Sequence, residues 1–435
     1  MGRQKKLNWS FGIFGGVFLI TMFILNAVFT AKTVGNSSEV GTSLPKMEIF
    51  LNGTSLDEIY LNGKDVKYEG NELSIRDGDE GQFFAGVQLK GRGNSSWDND
   101  KKPLRIKFSS RVEILGLGKS KKWVLLANNT DDSLMRNDIA FLMNRMLGGD
   151  YAMDGKYVEL FVDGVDNGVY YVTKAIEIGK DLLGLTDDYG VLVEVDNIYC
   201  DAEERTYLTK SGDCLVLKDS VVADNAEVAM SEFAKDFERV EALAEMGHYE
   251  SLKELIDMDS FAEYFLISEV TNNPDAFTTS WWFYRDGSDD LIHIGPAWDF
   301  DFALGNRKWG EGEMMTFHDP NRPLVQREAE TVNEKWQSAA VSKLMYYLLD
   351  IPEFRDNVER IYQERLMNKK DEILDYIRQQ QVFLEKSAVE DAKLWYSGDF
   401  DKEVEYLIWW IENRFQMMDV EYGNKMPSLV NEKEI

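Results

Sequence analysis

TNNPDAFTTSWWFYRDGSDDLIHIGPAWDFDFALG, residues 271–305, decides how the rest of the chain is read. Asp275 stands alone ahead of an apolar run, Trp281 to Tyr284, that reads as a strand. The polar stretch Asp286–Asp290 turns the chain back through Leu291–Ile294, which predicts a β-hairpin. Asp299 and Asp301 follow with one residue between them, so in an extended segment both carboxylates point to the same side. A lone acid, a hairpin and a carboxylate pair are the parts a phosphoryl transferase sets around a terminal phosphate and its cations. Hard cations such as Mg²⁺ take oxygen ligands and keep several waters, so carboxylates plus phosphate oxygens suffice. A plain turn carrying Asp-Phe-Asp between two strands is the competing reading of the same residues.

Composition bounds the alternatives. The chain has 435 residues, 44% of them hydrophobic, enough for one large core or two smaller ones. A formal charge of −29 argues against nucleic acid or an anionic membrane surface as a partner. His248, His293 and His318 are scattered, which argues against a histidine triad or a histidine-rich zinc site. Cys200 and Cys214 are the only cysteines, so a four-cysteine metal site is excluded, while a disulfide and two free thiols both stay open.

At the N-terminus, Arg3, Lys5 and Lys6 precede Leu7–Ala31, a stretch without a charged residue. Its length approaches the ~20 residues needed to span a bilayer, and Ala27 and Ala31 do not form a clean cleavage site. Residues 1–31 therefore read as an uncleaved signal anchor first and a cleaved signal peptide second. Either way, the basic flank predicts that the remainder lies outside the cytoplasm, tethered through a Ser/Gly/Thr-rich linker at 32–45.

From Met47 to Ile114 the chain reads as short strands: MEIFLNG, EIYLNGK, DVKYEG, GVQLKGRG and LRIKF. The last two flank GRGNSSWDNDKKP, Gly91 to Pro103. Gly91 and Gly93 allow backbone N–H groups to face an anion, and Lys101, Lys102, Arg105 and Lys107 surround the loop with positive charge. A phosphate cradle and a hairpin with a solvated basic face are both consistent with that pattern. Gly118-Lys119-Ser120 resembles the end of a P-loop, but Glu113 occupies the required earlier glycine position. Further on, KKWVLLAN is a buried-type strand, and a helix opens at Asp132-Ser133 and runs to Leu147. Tyr157–Ile176 forms a hairpin, and VLVEVD and YLTKSGDCLVLKDS add strands. Amphipathic helices are expected at 224–247, 250–271, 333–350, 352–367, 369–391 and 401–420, with Trp395, Trp409, Trp410 and Phe415 as core anchors. The class is α+β.

LKGRGNSSW, KKPLRIKF, KKWVLLANNTDDSLMRNDIA, LFVDGVDNGVYYVTKAIE, the Asp275 segment and AWDFDFALG occur here in an order that resembles the CotH kinase family. That family comprises secreted or spore-coat proteins with an atypical protein-kinase-like fold. The resemblance covers residues 46–420. It implies a β-rich lobe at 46–220, a mostly helical lobe at 221–420 and a polar tail at 421–435. It also implies Mg²⁺-dependent transfer (Mn²⁺ being an alternative) of the ATP γ-phosphate to serine or threonine of a protein substrate. On this likeness Asp275 falls at the catalytic aspartate, and Asp299 with Asp301 at the metal-binding Asp-x-Asp. Lys107 is the counterpart of the phosphate-pairing lysine, with Lys102 competing. Gly91, Gly93, Asn94, Ser95 and Trp97 belong to the loop over the phosphates, and Arg92 is a further phosphate contact.

Two positions depart from the family pattern. Ser280 stands where the family carries an asparagine metal ligand, and Lys174 stands where it carries glutamate, leaving Glu177 or Glu159 to rebuild an ion pair with the active-site lysine. These departures keep a pseudokinase or surface scaffold as the alternative to an active enzyme. A carbohydrate-binding module, suggested by the 12% aromatic content, is a third reading.

Overall fold

Seven strands close a barrel: β1 (Lys46–Phe50), β2 (Tyr68–Asp77), β3 (Glu80–Gly91), β4 (Leu104–Glu113), β5 (Lys119–Leu126), β6 (Gly155–Val162) and β7 (Val165–Lys174). This is a computed structural model, and it describes residues 43–308, 317–324, 341–395 and 398–423. The strand order is β1-β2-β3-β4-β5-β7-β6, antiparallel throughout except at the parallel β1–β6 seam. Alternation sends Met47, Ile49, Leu89, Leu104, Ile106 and Leu125 inward to a core of their own. The opposite face of β3, β4 and β5 presents Lys90 beside Arg105, and Gln88, Lys107 and Lys122 in one row.

EIYLNGK does not form the expected strand. Residues Leu56–Asn62 are a helix, α1. Ser55 accepts a hydrogen bond from the Glu58 N–H at 3.2 Å, Asp57 and Glu58 favour the positive end of the helix, and Gly63 ends it. Local capping outweighs the β preference of Ile59 and Tyr60, and only Ile59 is buried.

A second, five-stranded antiparallel sheet runs β12-β11-β8-β10-β9, from β8 (Val191–Val195), β9 (Thr206–Leu208), β10 (Cys214–Ser220), β11 (Trp281–Arg285) and β12 (His293–Ile294). Here β11 and β12 are the expected hairpin, and β11 adds to β8, so this sheet takes strands from both sides of residue 220. A Cys200–Cys214 disulfide ties the segment before β9 to the start of β10.

The second core packs this sheet against the helices. These are α2 (Arg136–Leu147), α3 (Ala226–Glu245), α4 (Tyr249–Leu252), α5 (Met258–Thr271), α6 (Leu344–Asp350), α7 (Pro352–Ile361), α8 (Lys370–Trp395) and α9 (Phe400–Met418). Two helices start later than periodicity suggests because an aspartate captures the first N–H groups. Asp131 accepts from Ser133 and Arg136 at 3.0 and 2.8 Å ahead of α2, and Asp257 accepts from Ser260 at 2.7 Å at the start of α5. Trp410 and Phe415 are buried as expected, whereas Trp409 is 48% exposed and stacks on Tyr406. Adjacent helical residues point about 100° apart, so only one of the paired tryptophans faces the core. Residues 7–31 lie outside the described residues, among which no helix is long and apolar enough to cross a membrane.

Candidate active site

Helix α5 ends at Asn272 in a left-handed conformation (φ 47°) and hands the chain to a tight turn. The Asn273 side chain accepts from the Asp275 N–H at 3.1 Å, and the Asp275 carbonyl accepts from Thr278 and Thr279 at 3.1 and 3.2 Å. Asp275 is 8% exposed. The same turn is tied to the second acidic segment. Asn273 donates to the Asp299 carbonyl at 3.3 Å, and the Ser280 hydroxyl donates to Asp299 Oδ2 at 3.0 Å. Ten non-glycine residues have positive φ among the described residues, and five of them, Asn272, Phe277, Ser280, Asp299 and Leu304, lie in this region. Such strain persists where surrounding contacts over-determine it, and it concentrates at working sites.

The Asp-Phe-Asp segment is pinned from α2. Asn137 accepts from the Phe300 N–H at 3.0 Å and donates from its other side-chain atom to Asp301, while Asn306 donates to the Asp301 carbonyl at 2.7 Å. Trp298 and Phe300 pack on Phe141, with ring centroids at 5.7 and 6.2 Å. With the aromatics buried, Asp299 and Asp301 are left half-buried at a cleft. Burial pushes the Asp301 carboxyl up to about 7, the Asp299 charge adding to it. Burial also raises Asp299, against the pull of Arg92 and Ser280.

Arg92 approaches from the end of β3. Its guanidinium lies 5.6 Å from the Trp298 ring and has no hydrogen-bond partner among the described residues. Burial holds it below its ordinary value, opposed by the charges of Asp299, Asp301 and Glu194. Arg92, Ser96, Asn128, Asn129, Thr130 and Asp301 line the cleft between this loop and the acid pair.

The rest of the Gly91–Pro103 loop is occupied with its own structure. A Cβ on Gly91 would lie 2.3 Å from the Trp97 ring, and Gly93 takes φ 87°. Lys102 donates to the carbonyls of Trp97 and Asn99 at 2.7 and 2.9 Å, and Asn94 accepts from Lys64 at 2.6 Å. Ser95 opens a short 3₁₀ turn and is exposed. Lys101 is buried against Asp391 at 2.6 Å and the Val169 carbonyl. Lys107 lies on the outer face of β4, with Arg105 on the same face and nearer Arg92, whose charge together with burial pulls Arg105 down. Glu177 pairs with Lys122 at 3.4 Å and accepts from Ser120 at 2.9 Å, so the glutamate on this face meets a lysine of β5. Glu159 accepts from Ser387 at 2.7 Å, and Lys174 donates to the Asp181 carbonyl at 3.2 Å.

The structure thus gathers Asp275, Ser280, Asp299, Asp301 and Arg92, with Arg105 from the basic set around the loop nearby, and adds Asn137 and Asn306, which no spacing argument selects. A further acidic group, Glu194, Asp196 and Glu203, has ligand atoms within 4.8 Å of one another. There an ammonium already sits between two of the carboxylates, since Lys218 meets Glu194 at 2.8 Å and Glu203 at 3.0 Å. The donor set of Asp299 and Asp301 fits a hard divalent cation better, because oxygen ligands are half-accessible and their mutual repulsion opposes full ionisation without a counter-charge.

Comparison with known proteins agrees with the likeness in the sequence. A family model described as CotH kinase protein matches residues 89–418, more than half of the chain. Among solved structures, the Helicobacter pylori proinflammatory kinase CtkA aligns with 79% of this chain and 92% of its own, at 12% identity and a TM-score of 0.24. No curated protein matches. The chain belongs to the CotH kinase protein family.

Proposed function

We propose that the protein transfers the γ-phosphoryl group of ATP to a serine or threonine hydroxyl of a protein substrate. One observation carries this reading: a guanidinium without a partner among the described residues, Arg92, faces two carboxylates that repel each other, Asp299 and Asp301. Charges of both signs held incompletely satisfied across one cleft complement a phosphate group and its cation. Bound Mg²⁺ or Mn²⁺ supplies the charge neutralisation that phosphoryl transfer needs. Asp299 and Asp301 are the residues to hold it, and the Ser280 hydroxyl keeps Asp299 oriented. Arg92 takes phosphate oxygens with its planar fork, and Arg105 and Lys107 extend the positive field along the barrel face. Asp275, on the turn that also carries Ser280, orients the substrate hydroxyl and accepts its proton. The new O–P bond forms as the bond to ADP breaks.

The proposal extends to location. The basic flank and uncharged length of residues 1–31 support a domain held outside the cytoplasm by a membrane anchor, and the Cys200–Cys214 disulfide suits an oxidising compartment.

A second reading, a nucleotide-binding scaffold without transfer, is favoured by the narrowness of the cleft. The pocket lined by Arg92, Ser96, Asn128 and Asp301 has free space of about 10 Å³, room for one water and less than a triphosphate fills. Incubating the full-length chain in detergent with γ-labelled ATP and Mg²⁺ or Mn²⁺ separates the two. Labelled serine or threonine is the expected result. Nucleotide binding without incorporation, on the chain itself or on added proteins, establishes the scaffold.

A further inference from the structure

The turn that carries Asp275 is gripped by a loop distant in sequence. Asp196, at the end of β8, accepts at one oxygen, Oδ1, from the Ile198 and Tyr199 N–H groups at 3.1 and 3.0 Å and from the Thr279 hydroxyl at 2.9 Å. Its neighbour Asn197 donates its N–H to the Thr278 carbonyl at 2.9 Å. Asp213, which accepts from Asn197 at 2.8 Å, also accepts from Ser342 Oγ, and the Ser342 N–H donates to the Phe277 carbonyl at 2.7 Å. Three successive residues of the turn, Phe277, Thr278 and Thr279, are thereby held from one side.

The turn needs holding. Phe277 and Ser280 have φ of 64° and 53°, values that an aromatic and a serine abandon unless their surroundings enforce them. The segment that grips Thr278 and Thr279 between them, Asp196–Asn197, leads directly into the loop closed by the Cys200–Cys214 disulfide, 14 residues apart. Cys214 is also where the loop meets its own start, since its carbonyl accepts from the Asp196 N–H at 3.0 Å and its N–H donates to Asn197 at 2.8 Å. Tyr199, one residue before the disulfide, lies close to the site. Burial first, then the charges of Asp275, Asp196 and Asp299, raise its phenol.

We propose that this disulfide-closed loop is a clamp on the Asp275 turn, with Asp196 as its positioning residue, and that reducing Cys200–Cys214 loosens it and lowers turnover. The inference rests on the phosphoryl-transfer reading of Asp275. Neither Asp196 nor Thr279 is required to touch the nucleotide. They act by fixing where Asp275 and Ser280 stand, and ångström-scale misplacement of a catalytic group costs turnover more than binding.

Steady-state transfer by the full-length chain tests the clamp on Thr279→Val, Thr279→Ser and Asp196→Ala, alongside amide hydrogen exchange of residues 276–281. Thr279→Val and Asp196→Ala are expected to lower kcat by about 10-fold to 10²-fold with KM for ATP unchanged, and to speed exchange in the turn. Thr279→Ser keeps the donor and restores both. Dithiothreitol should lower wild-type kcat and speed the same exchange, while a Cys200→Ser, Cys214→Ser variant starts low and does not respond. Wild-type kcat and exchange in Thr279→Val, or a Thr279→Ser variant as impaired as Thr279→Val, overturns the clamp. Indifference of both readouts to dithiothreitol, with the disulfide shown reduced by mass, overturns the redox half. If Asp196→Ala fails to fold, the two Thr279 variants still decide. If the wild type transfers nothing, the phosphoryl-transfer reading falls, and exchange in the same variants decides the clamp by itself.

Discussion

Two arginines lie near the Asp-Phe-Asp segment, Arg136 from the first turn of α2, which reaches the Ala303 carbonyl just after it, and Arg92 from the end of β3, which feels the charges of Asp299 and Asp301. Arg136 is fully buried and fully engaged. It pairs with Asp131, donates to Glu403 at 2.7 Å, and donates to the Ala303 carbonyl at 3.1 Å. Burial alone would pull Arg136 down, but the charges of Asp131 and Glu403 outweigh it and leave it above its ordinary value. For Arg92 the balance falls the other way. Burial wins over Asp299, Asp301 and Glu194, and the guanidinium hydrogen-bonds to nothing among the described residues. The first arginine builds the loop. The second lies beside it with its charge incompletely answered by the described residues.

The largest expected effect breaks the first side of that contrast. Arg136→Met leaves the buried Asp131 without its counter-charge and Glu403 with Arg307 alone, and removing one partner of such a network costs about 3–5 kcal/mol. Arg92→Met is expected to change stability by less than about 1 kcal/mol, because a half-buried group in loose electrostatic contact contributes little to folding. Urea denaturation of both variants measures the difference. Equal losses would mean that Arg92 is structural after all.

Next in size is the chemical step. Asp275→Asn keeps the backbone hydrogen bonds that this residue makes with Asn273, Thr278 and Thr279, and removes the proton acceptor. Transfer should fall by about 10²-fold or more with ATP affinity unchanged, the usual scale for a positioned acid or base. Comparable transfer by the two proteins would take Asp275 out of the chemistry. Smaller again is the binding effect at Arg92. Losing a charge-assisted bond to phosphate weakens MgATP by about 10-fold or somewhat more, measurable by calorimetry on Arg92→Met.

How much of this could be read from the chain depends on the range of the interactions. The hairpin at Trp281–Ile294 follows from local alternation, which is written in adjacent residues, whereas Asp299 and Asp301 do not sit on the extended segment that alternation suggests, because Asp299 takes φ 67° and the chain turns there. The α1 segment misleads because Ile59, Tyr60 and Leu61 look like a strand, while Ser55, four residues upstream of Ile59, caps a helix. Lys101 and Lys102 look like phosphate ligands by composition. Lys101 does line the cleft but is committed to Asp391, 290 residues away, and Lys102 is turned to carbonyls that the loop bends back to offer. The roles of Asn137 and Asp196 were invisible for the same reason, since each acts across more than 80 residues on a partner no periodicity identifies.

The smallest effect tests the acid pair against the Arg136 network, and it appears as a pH dependence. Asp301 has its folded-state carboxyl raised from 3.8 to about 7. A raised carboxyl makes its full contribution to stability below the unfolded value, near pH 4, and loses it as pH climbs toward 7, because ionising it costs more in the folded chain. Undiscounted, that shift corresponds to about 4 kcal/mol. The group is half-buried and shares its field with Asp299 and Arg92, so screening brings the expected effect to the order of 1–2 kcal/mol. In chelator, Asp301→Asn should therefore be more stable than wild type by that amount at pH 8 and equal to it near pH 4. The amide keeps an acceptor for Asn137 while losing the charge. Mg²⁺ should stabilise the wild type at pH 8 and close the gap, since a ligand that binds only the folded state adds to its stability, and should do nothing for the variant. Parallel pH curves for the two proteins would show that the acid pair carries no unanswered charge, and Asp301 would then belong with Arg136 among the groups that serve the fold.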